Sequence, residues 1–198
     1  MMKSPRLPAA IVPAAGASTR MGRPKLLLPW GESTVVEATL AALLGGGVAS
    51  VVVVVAPEGP LGNWSPPASV SVAVNADPAR GMLSSILAGL EALGPGAPDP
   101  LLVCPADLPA LRADTVVRLL AVYADRGGVV VPRRGRRRGH PLLISPSWQA
   151  RMPGLAAADG GLRRILELAA GAVREVEVDD PGTVYDVDTP EDYERLRP

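Results

Sequence analysis

A single cysteine, Cys104, excludes an intramolecular disulfide, so nothing in this chain demands an oxidising compartment. Charge of either sign is not in surplus: 20 Lys and Arg balance 20 Asp and Glu. That balance argues against a nucleic-acid partner, which needs excess cations across a docking face. Long hydrophobic runs are missing too. The apolar run at residues 51–57, like every other in the chain, is too short to cross a bilayer. The N-terminal MMKSPRLPAAIVPAAG lacks the apolar core of a signal peptide, because prolines at 5, 8 and 13 break it. These absences lead to the expectation of a soluble cytoplasmic protein with no membrane contact. Histidine is as scarce as cysteine; His140 stands alone and cannot make a metal cluster with other histidines. What is abundant is glycine and proline, 21 and 22 of 198 residues, which approaches a disordered composition. The Val, Leu and Ile runs between them keep the chain globular, and its length suits one domain over 1–198.

Those runs alternate in type. Residues 9–13 read as a buried strand, and 33-STVVEATLAALL-44 has helical spacing behind a Ser/Thr start, with Gly45-Gly46-Gly47 to stop it. The run 50-SVVVVVA-56 is β-branched on every side, as in a central strand covered on both faces. Further strands are predicted at 70–74, 101–104, 128–132, 141–144 and 173–178. Helices are predicted at 82–93 and at 114–127, the latter opened by Asp114. Weaker helical pieces fall at 147–152 and 160–170, and DVDTPEDYERL closes the chain. Strands alternating with helices imply an α/β fold, a mostly parallel sheet between two helical layers. Ligands in such sheets sit at the carboxyl ends of the strands. The residues that matter therefore follow the strands, at 13–25, 75–85, 104–109, 132–140 and 185–189.

The first of these segments, 13-PAAGASTRMGRPK-25, places glycines and cations directly after a strand. Glycines let backbone N–H groups approach an anion, and Arg20 and Lys25 add charge where phosphate oxygens would gather. The spacing is not that of a P-loop, nor of a G-x-G-x-x-G dinucleotide loop, and a surface loop with solvated cations remains an equal reading of composition alone. Asp107, in PADLP after a strand, suits Mg²⁺ or a turn before Pro109. Asp186 and Asp188 alternate onto the same side, and either Asp188 or Thr189 is placed to cap the last helix ahead of Pro190. Ser84 and Ser85 stand at a helix start, where they can meet a ribose or phosphate; alternatively Ser84 caps that helix. Asn75 and Asp77 end the preceding strand within reach of the same place. The run 133-RRGRRR-138 holds five arginines in six residues, and is either a solvated hairpin tip or an anion-facing loop. Cys104 reads as a small core residue.

The opening segment resembles the signature of the MobA/MocA-like nucleotidyltransferases of molybdenum-cofactor metabolism, L-A-[AG]-G-x-S/G-x-R-M-G-x-x-K, with Pro13 in place of the usual Leu. Three more matches follow in order: 81-GMLSSILAGL-90, 104-CPADLP-109, and 138-RGHP-141 followed by 186-DVDTPEDY-193. The resemblance spans nearly the whole chain. It implies a three-layer α/β/α, Rossmann-like sheet of the nucleotide-diphospho-sugar transferase (GT-A) type. It also implies a Mg²⁺-dependent transfer of a nucleoside monophosphate from a triphosphate to a phosphorylated acceptor. Carried onto this sequence, the nucleotide would lie on Ala14, Ala15, Gly16, Ser18, Arg20 and Lys25, with Gly81, Ser84 and Ser85. Arg20, Lys25 and Asp107 would be catalytic, Asp107 and Asp188 metal ligands, and Arg138, Gly139 and His140 acceptor-facing. Family members that use CTP carry L-A-A-G where those that use GTP carry L-A-G-G. Ala15 adds a methyl that disfavours a purine, so the resemblance points to CTP, a molybdopterin-type acceptor, and a molybdenum hydroxylase to receive the product.

Overall fold

The computed structural model describes residues 6–16, 21–62, 64–155 and 162–198. In chain order the strands are β1 (Ala9–Pro13), β2 (Pro29–Trp30), β3 (Ser33–Thr34), β4 (Ser50–Val55), β5 (Val70–Val74), β6 (Leu101–Val103), β7 (Val129–Arg134), β8 (Arg137–Arg138), β9 (Leu142–Ile144) and β10 (Val173–Glu177). The helices are α1 (Val35–Gly45), α2 (Met82–Ala92), α3 (Ala113–Arg126), α4 (Pro146–Gln149), α5 (Leu162–Leu168) and α6 (Pro190–Leu196). Among the described residues eight strands form the central sheet, in the order β10-β7-β9-β6-β1-β4-β5, with β8 added to β7. β1 pairs in parallel with β4 and β6, β4 with β5, and β10 with β7. β9 runs antiparallel between β6 and β7. The fold is thus the mostly parallel α/β sheet with flanking helices that the alternation of elements implies.

Pleating divides the core in two. Ala10 and Val12 face the layer containing α1, α3 and Tyr193 of α6. Ile11, Val52, Val54, Leu101 and Val103 face the layer of α2 and α5. Residues Val51 to Val55 are all buried, as expected for a strand covered on both faces. Gly89 lets α2 lie close on β1: a Cβ there would come 2.7 Å from Ile11 Cγ2.

Helix ends follow local chemistry, with one departure. Thr34 caps α1 in a capping box, Glu37 Oε2 accepting from Thr34 N at 2.9 Å. Thr189 rather than Asp188 caps α6, again with a capping box, to Asp192, and Pro190 takes the first helical position. Asp114, however, does not cap α3. That helix starts a residue earlier, behind Arg112, whose N–H donates to the Asp180 carboxylate at 3.0 Å.

Candidate active site

The carboxyl ends of β1 and β6 open onto a cleft of about 320 Å³. One wall is the loop after β1, where Ala14, Ala15 and Gly16 line the space and Ala14 N donates to Val54 O at 2.8 Å. A single 3-10 turn, Lys25–Leu27, follows; buried Leu26 pins it to the core and leaves Lys25 facing the cleft. Opposite lie Asp107, in the loop after β6, and Asp188, just before α6.

Lys25 Nζ stands 2.5 Å from Asp107 Oδ2 and 2.7 Å from Asp188 Oδ1. Burial pulls the Lys25 pKa down, but the charges and hydrogen bonds of the two aspartates outweigh it, so the net shift is upward and the side chain stays an ammonium. Asp186 joins them: oxygens of Asp107, Asp186 and Asp188 lie within 4.8 Å of one another. Partial burial, followed by the like charges of Asp107 and Asp188, pushes the Asp186 carboxyl above its usual value. Asp107 Oδ1 is buried and lacks a hydrogen-bond partner. A set of hard oxygen donors with one of them unsatisfied fits a divalent cation such as Mg²⁺. Asp186 and Asp188, which the sequence places on the same side, stand in the structure as members of one group with Asp107.

The α2 end supplies the facing wall. Gly81, at φ 86, is the N-cap and lines the cleft with Met82 and Ser85. Ser84 therefore does not cap α2; its hydroxyl donates back to Gly81 O at 2.7 Å. Buried Asn75 organises this corner, donating to Ser84 Oγ at 2.8 Å and Ser85 Oγ at 2.9 Å, while its own Oδ1 accepts from Asp77 N. Of the two serines only Ser85 lines the cleft.

Arg138, Gly139 and His140 lie outside the cleft wall. Arg138 pairs with Glu175 of β10 at 2.6 Å. Its neighbours are engaged likewise: Arg133 with Glu175 and Glu177, Arg134 with Asp179, and Arg137 with Val184 O and the Tyr185 ring, 5.0 Å from its centroid. The arginine run is thus a β7–β8 hairpin laid along acidic residues at and just beyond β10. Gly139 packs so tightly on Thr183 that a Cβ would fall 2.2 Å from its carbonyl oxygen, and His140 N donates to that oxygen at 2.8 Å. Burial lowers the His140 pKa against the opposing influence of the Val103 carbonyl and Asp107, and its Nδ1 is buried without a partner. Ser18 and Arg20 fall outside the described residues. Cys104 is fully buried, and burial raises its thiol pKa, as suits a core residue.

A family model for the MobA-like NTP transferase domain matches residues 10–176. The chain belongs to that family.

This MobA-like NTP transferase is 34% identical over 195 residues to the nicotine blue oxidoreductase of Paenarthrobacter nicotinovorans, covering 92% of this chain and 93% of the relative. It is 27% identical over 191 residues to the molybdenum cofactor cytidylyltransferase of Escherichia coli, covering 92% of each. Rv0371c from Mycobacterium tuberculosis superposes with a TM-score of 0.83 at 27% identity, covering 98% of this chain and 99% of that one. A complex of Rv0371c with manganese superposes at 0.75 and 25% identity, covering 96% and 98%. A related protein has thus been crystallised with manganese, and the acidic group of this chain could hold a divalent metal. Among the described residues no helix is long and apolar enough to cross a membrane.

Spacing did not assign Asp180, and it placed Asn75 at this corner without showing that Asn75 clamps both serines. Asp180 is fully buried and accepts hydrogen bonds from Arg112 N, Thr115 Oγ1 and Gly182 N. Its local signal is the run Asp-Asp-Pro-Gly, a turn pattern that does not announce a partner in α3.

Proposed function

We propose that this MobA-like NTP transferase moves a cytidylyl group from CTP to the phosphate of a molybdopterin-type acceptor. The observation that carries the reading is the meeting of Lys25 with Asp107 and Asp188, beside Asp186, at the mouth of the sheet. In the reaction an acceptor phosphate oxygen attacks the α-phosphorus, the α–β phosphoanhydride bond breaks, and pyrophosphate carries away the bonding electrons. Such a transfer needs positioning and charge neutralisation more than covalent help from the protein.

Each residue then has a task. Ala14, Ala15 and Gly16 present backbone to the nucleotide, and the Ala15 methyl favours the smaller pyrimidine. By the family resemblance, Ser18 would bind the nucleotide and Arg20 would join Lys25 in steadying charge on the leaving pyrophosphate. Gly81 and Ser85 meet the ribose or phosphates, and Ser84 acts with them through Asn75. Lys25 passes to the triphosphate, where its charge steadies the leaving pyrophosphate. Asp107, Asp186 and Asp188 would hold Mg²⁺, which when bound supplies neutralisation of phosphate charge. Gly139 and His140 bound the acceptor side, with Arg138 at its rim, and a molybdenum hydroxylase receives the product.

Pyrophosphate release, assayed with Mg²⁺, a molybdopterin-type acceptor and each of CTP, GTP, UTP and ATP, tests this. CTP should be preferred. A GTP preference moves the assignment to guanylyl transfer, and no release with any nucleotide rejects nucleotidyl transfer.

The 34% identity to the nicotine blue oxidoreductase supports a second reading, a redox role for the same cleft. The acidic group with its ammonium favours a metal-bound polyphosphate instead. Oxidation of NADH or NADPH by the purified protein with a dye acceptor would turn the balance.

A further inference from the structure

Asp188, which lines the cleft, and Asp186 beside it come from a long connection, and sheet pairing does not set their distance from Asp107. β10, which leads into that connection, is an edge strand paired with β7, three places from β6 in the sheet order. Something else must hold residues 179–188 against the loop that carries Asp107.

The fully buried carboxylate of Asp180 sits in this seam. Its Oδ2 accepts from Arg112 N at 3.0 Å and from Thr115 Oγ1 at 2.7 Å, and its Oδ1 accepts from Gly182 N at 2.9 Å. Arg112 and Thr115 begin α3, directly beyond the Asp107 loop. Arg112 also reaches across through Nη2, which donates to Asp179 O. Two backbone contacts lie in the same seam. A Cβ on Gly182 would come 2.1 Å from the Ala110 carbonyl carbon, and Val187 N donates to Asp107 O at 3.0 Å. A carboxylate suits the position because both of its oxygens only accept; an amide would turn an NH₂ group toward donors. Burial of such a charge persists only where hydrogen bonds satisfy it.

We infer that Asp180, through Thr115 and the Arg112 backbone, is a positioning residue that sets the separation between Asp107 and the Asp186–Asp188 pair. The metal-binding geometry of the cleft is then built by a buried carboxylate that never touches the metal. This rests on the metal reading given under Proposed function.

The test is Mn²⁺ titration of the full-length chain without nucleotide, followed by electron paramagnetic resonance well below the unfolding temperature, with circular dichroism to confirm folding. Asp180→Asn and Thr115→Val should each lower Mn²⁺ affinity by about tenfold, the low end of the loss that direct partners of metal ligands show, because these residues act one contact further away. Thr115→Ser keeps the hydroxyl and should bind Mn²⁺ as the parent does. Thr115→Val preserves shape, so it reports even where Asp180→Asn fails to fold. Folded variants with parental Mn²⁺ affinity and only a lower Tm would overturn the positioning role and leave the metal reading standing. A parent chain that binds no Mn²⁺ would overturn both.

Discussion

Lys25 and Asp107, 82 positions apart in the chain, meet with Nζ 2.5 Å from Oδ2. The same ammonium reaches Asp188 at 2.7 Å, across 163 positions. Among the described residues, one cation thus bridges two of the three carboxylates in the group. The cluster of carboxylate oxygens could receive a divalent ion delivered with a triphosphate, whose oxygens can take over the ammonium.

Lys25→Ala should reduce kcat/KM by the equivalent of about 2–4 kcal/mol, the loss typical of one preorganised charge-stabilising donor. In the free protein the same variant should bind Mn²⁺ more tightly, because a competing cation has gone. Steady-state pyrophosphate release and Mn²⁺ titration read the two effects. Parental turnover would remove Lys25 from the catalytic group.

Asp107→Asn should abolish Mg²⁺-dependent transfer and leave the fold intact, since Asp107 lies in a loop at the cleft rather than in either core layer. Its main-chain oxygen would still accept from Val187 N. Activity assays at rising Mg²⁺, with circular dichroism as the folding control, check this. A variant as active as the parent would take Asp107 out of the metal group.

Gly89→Ala should destabilise the protein by about 1–3 kcal/mol, as overpacking does. The new methyl would sit 2.7 Å from Ile11 Cγ2 and 2.9 Å from Cγ1, and a central β-strand has little room to yield. Because α2 carries Gly81 and Ser85, KM for the nucleotide should rise in parallel. Urea unfolding and steady-state kinetics measure both.

Glu37 gives an acid-limb prediction. The Thr34 hydroxyl first, then the Trp64 indole and the Thr34 N–H, donate to its carboxylate and hold its pKa below the ordinary 4.5, against a counteracting effect of burial. A depressed folded-state pKa contributes stability that is present above the unfolded value and lost as pH falls through the folded value. Because solvent screens this partly exposed carboxylate, Glu37→Ala should cost about 0.5 kcal/mol at neutral pH. The gap from the parent should narrow as pH falls below 4.5. Urea unfolding at several pH values tests it, and a gap independent of pH would refute the assignment.

Much of this architecture was legible because period and punctuation agree locally. The Val51–Val55 run, the Gly stop after α1 and Pro190 behind Thr189 each state their own element. The direction of β9 was not legible, since a short buried run such as Leu142–Ile144 reads alike parallel or antiparallel. Asp114 misled because the N-terminus of α3 meets a carboxylate 68 positions further on, at Arg112, instead of a local cap. The site divides in the same way. Loops after strands placed Ala14–Gly16, Gly81 and Asp107 at one mouth, whereas no local rule turns Arg138 toward Glu175 or binds Lys25 to both aspartates.

Asp107, Asp186 and Asp188 are proposed to hold the metal that accompanies the triphosphate. Crystals grown with Mn²⁺ and CTP, measured at a wavelength where manganese scatters anomalously, test it most directly. The peak should lie within bonding distance of Asp107 and Asp188, with the phosphates running along Ala14–Gly16. A peak elsewhere, or CTP bound while Lys25 still closes the carboxylates with no metal between them, would contradict the account.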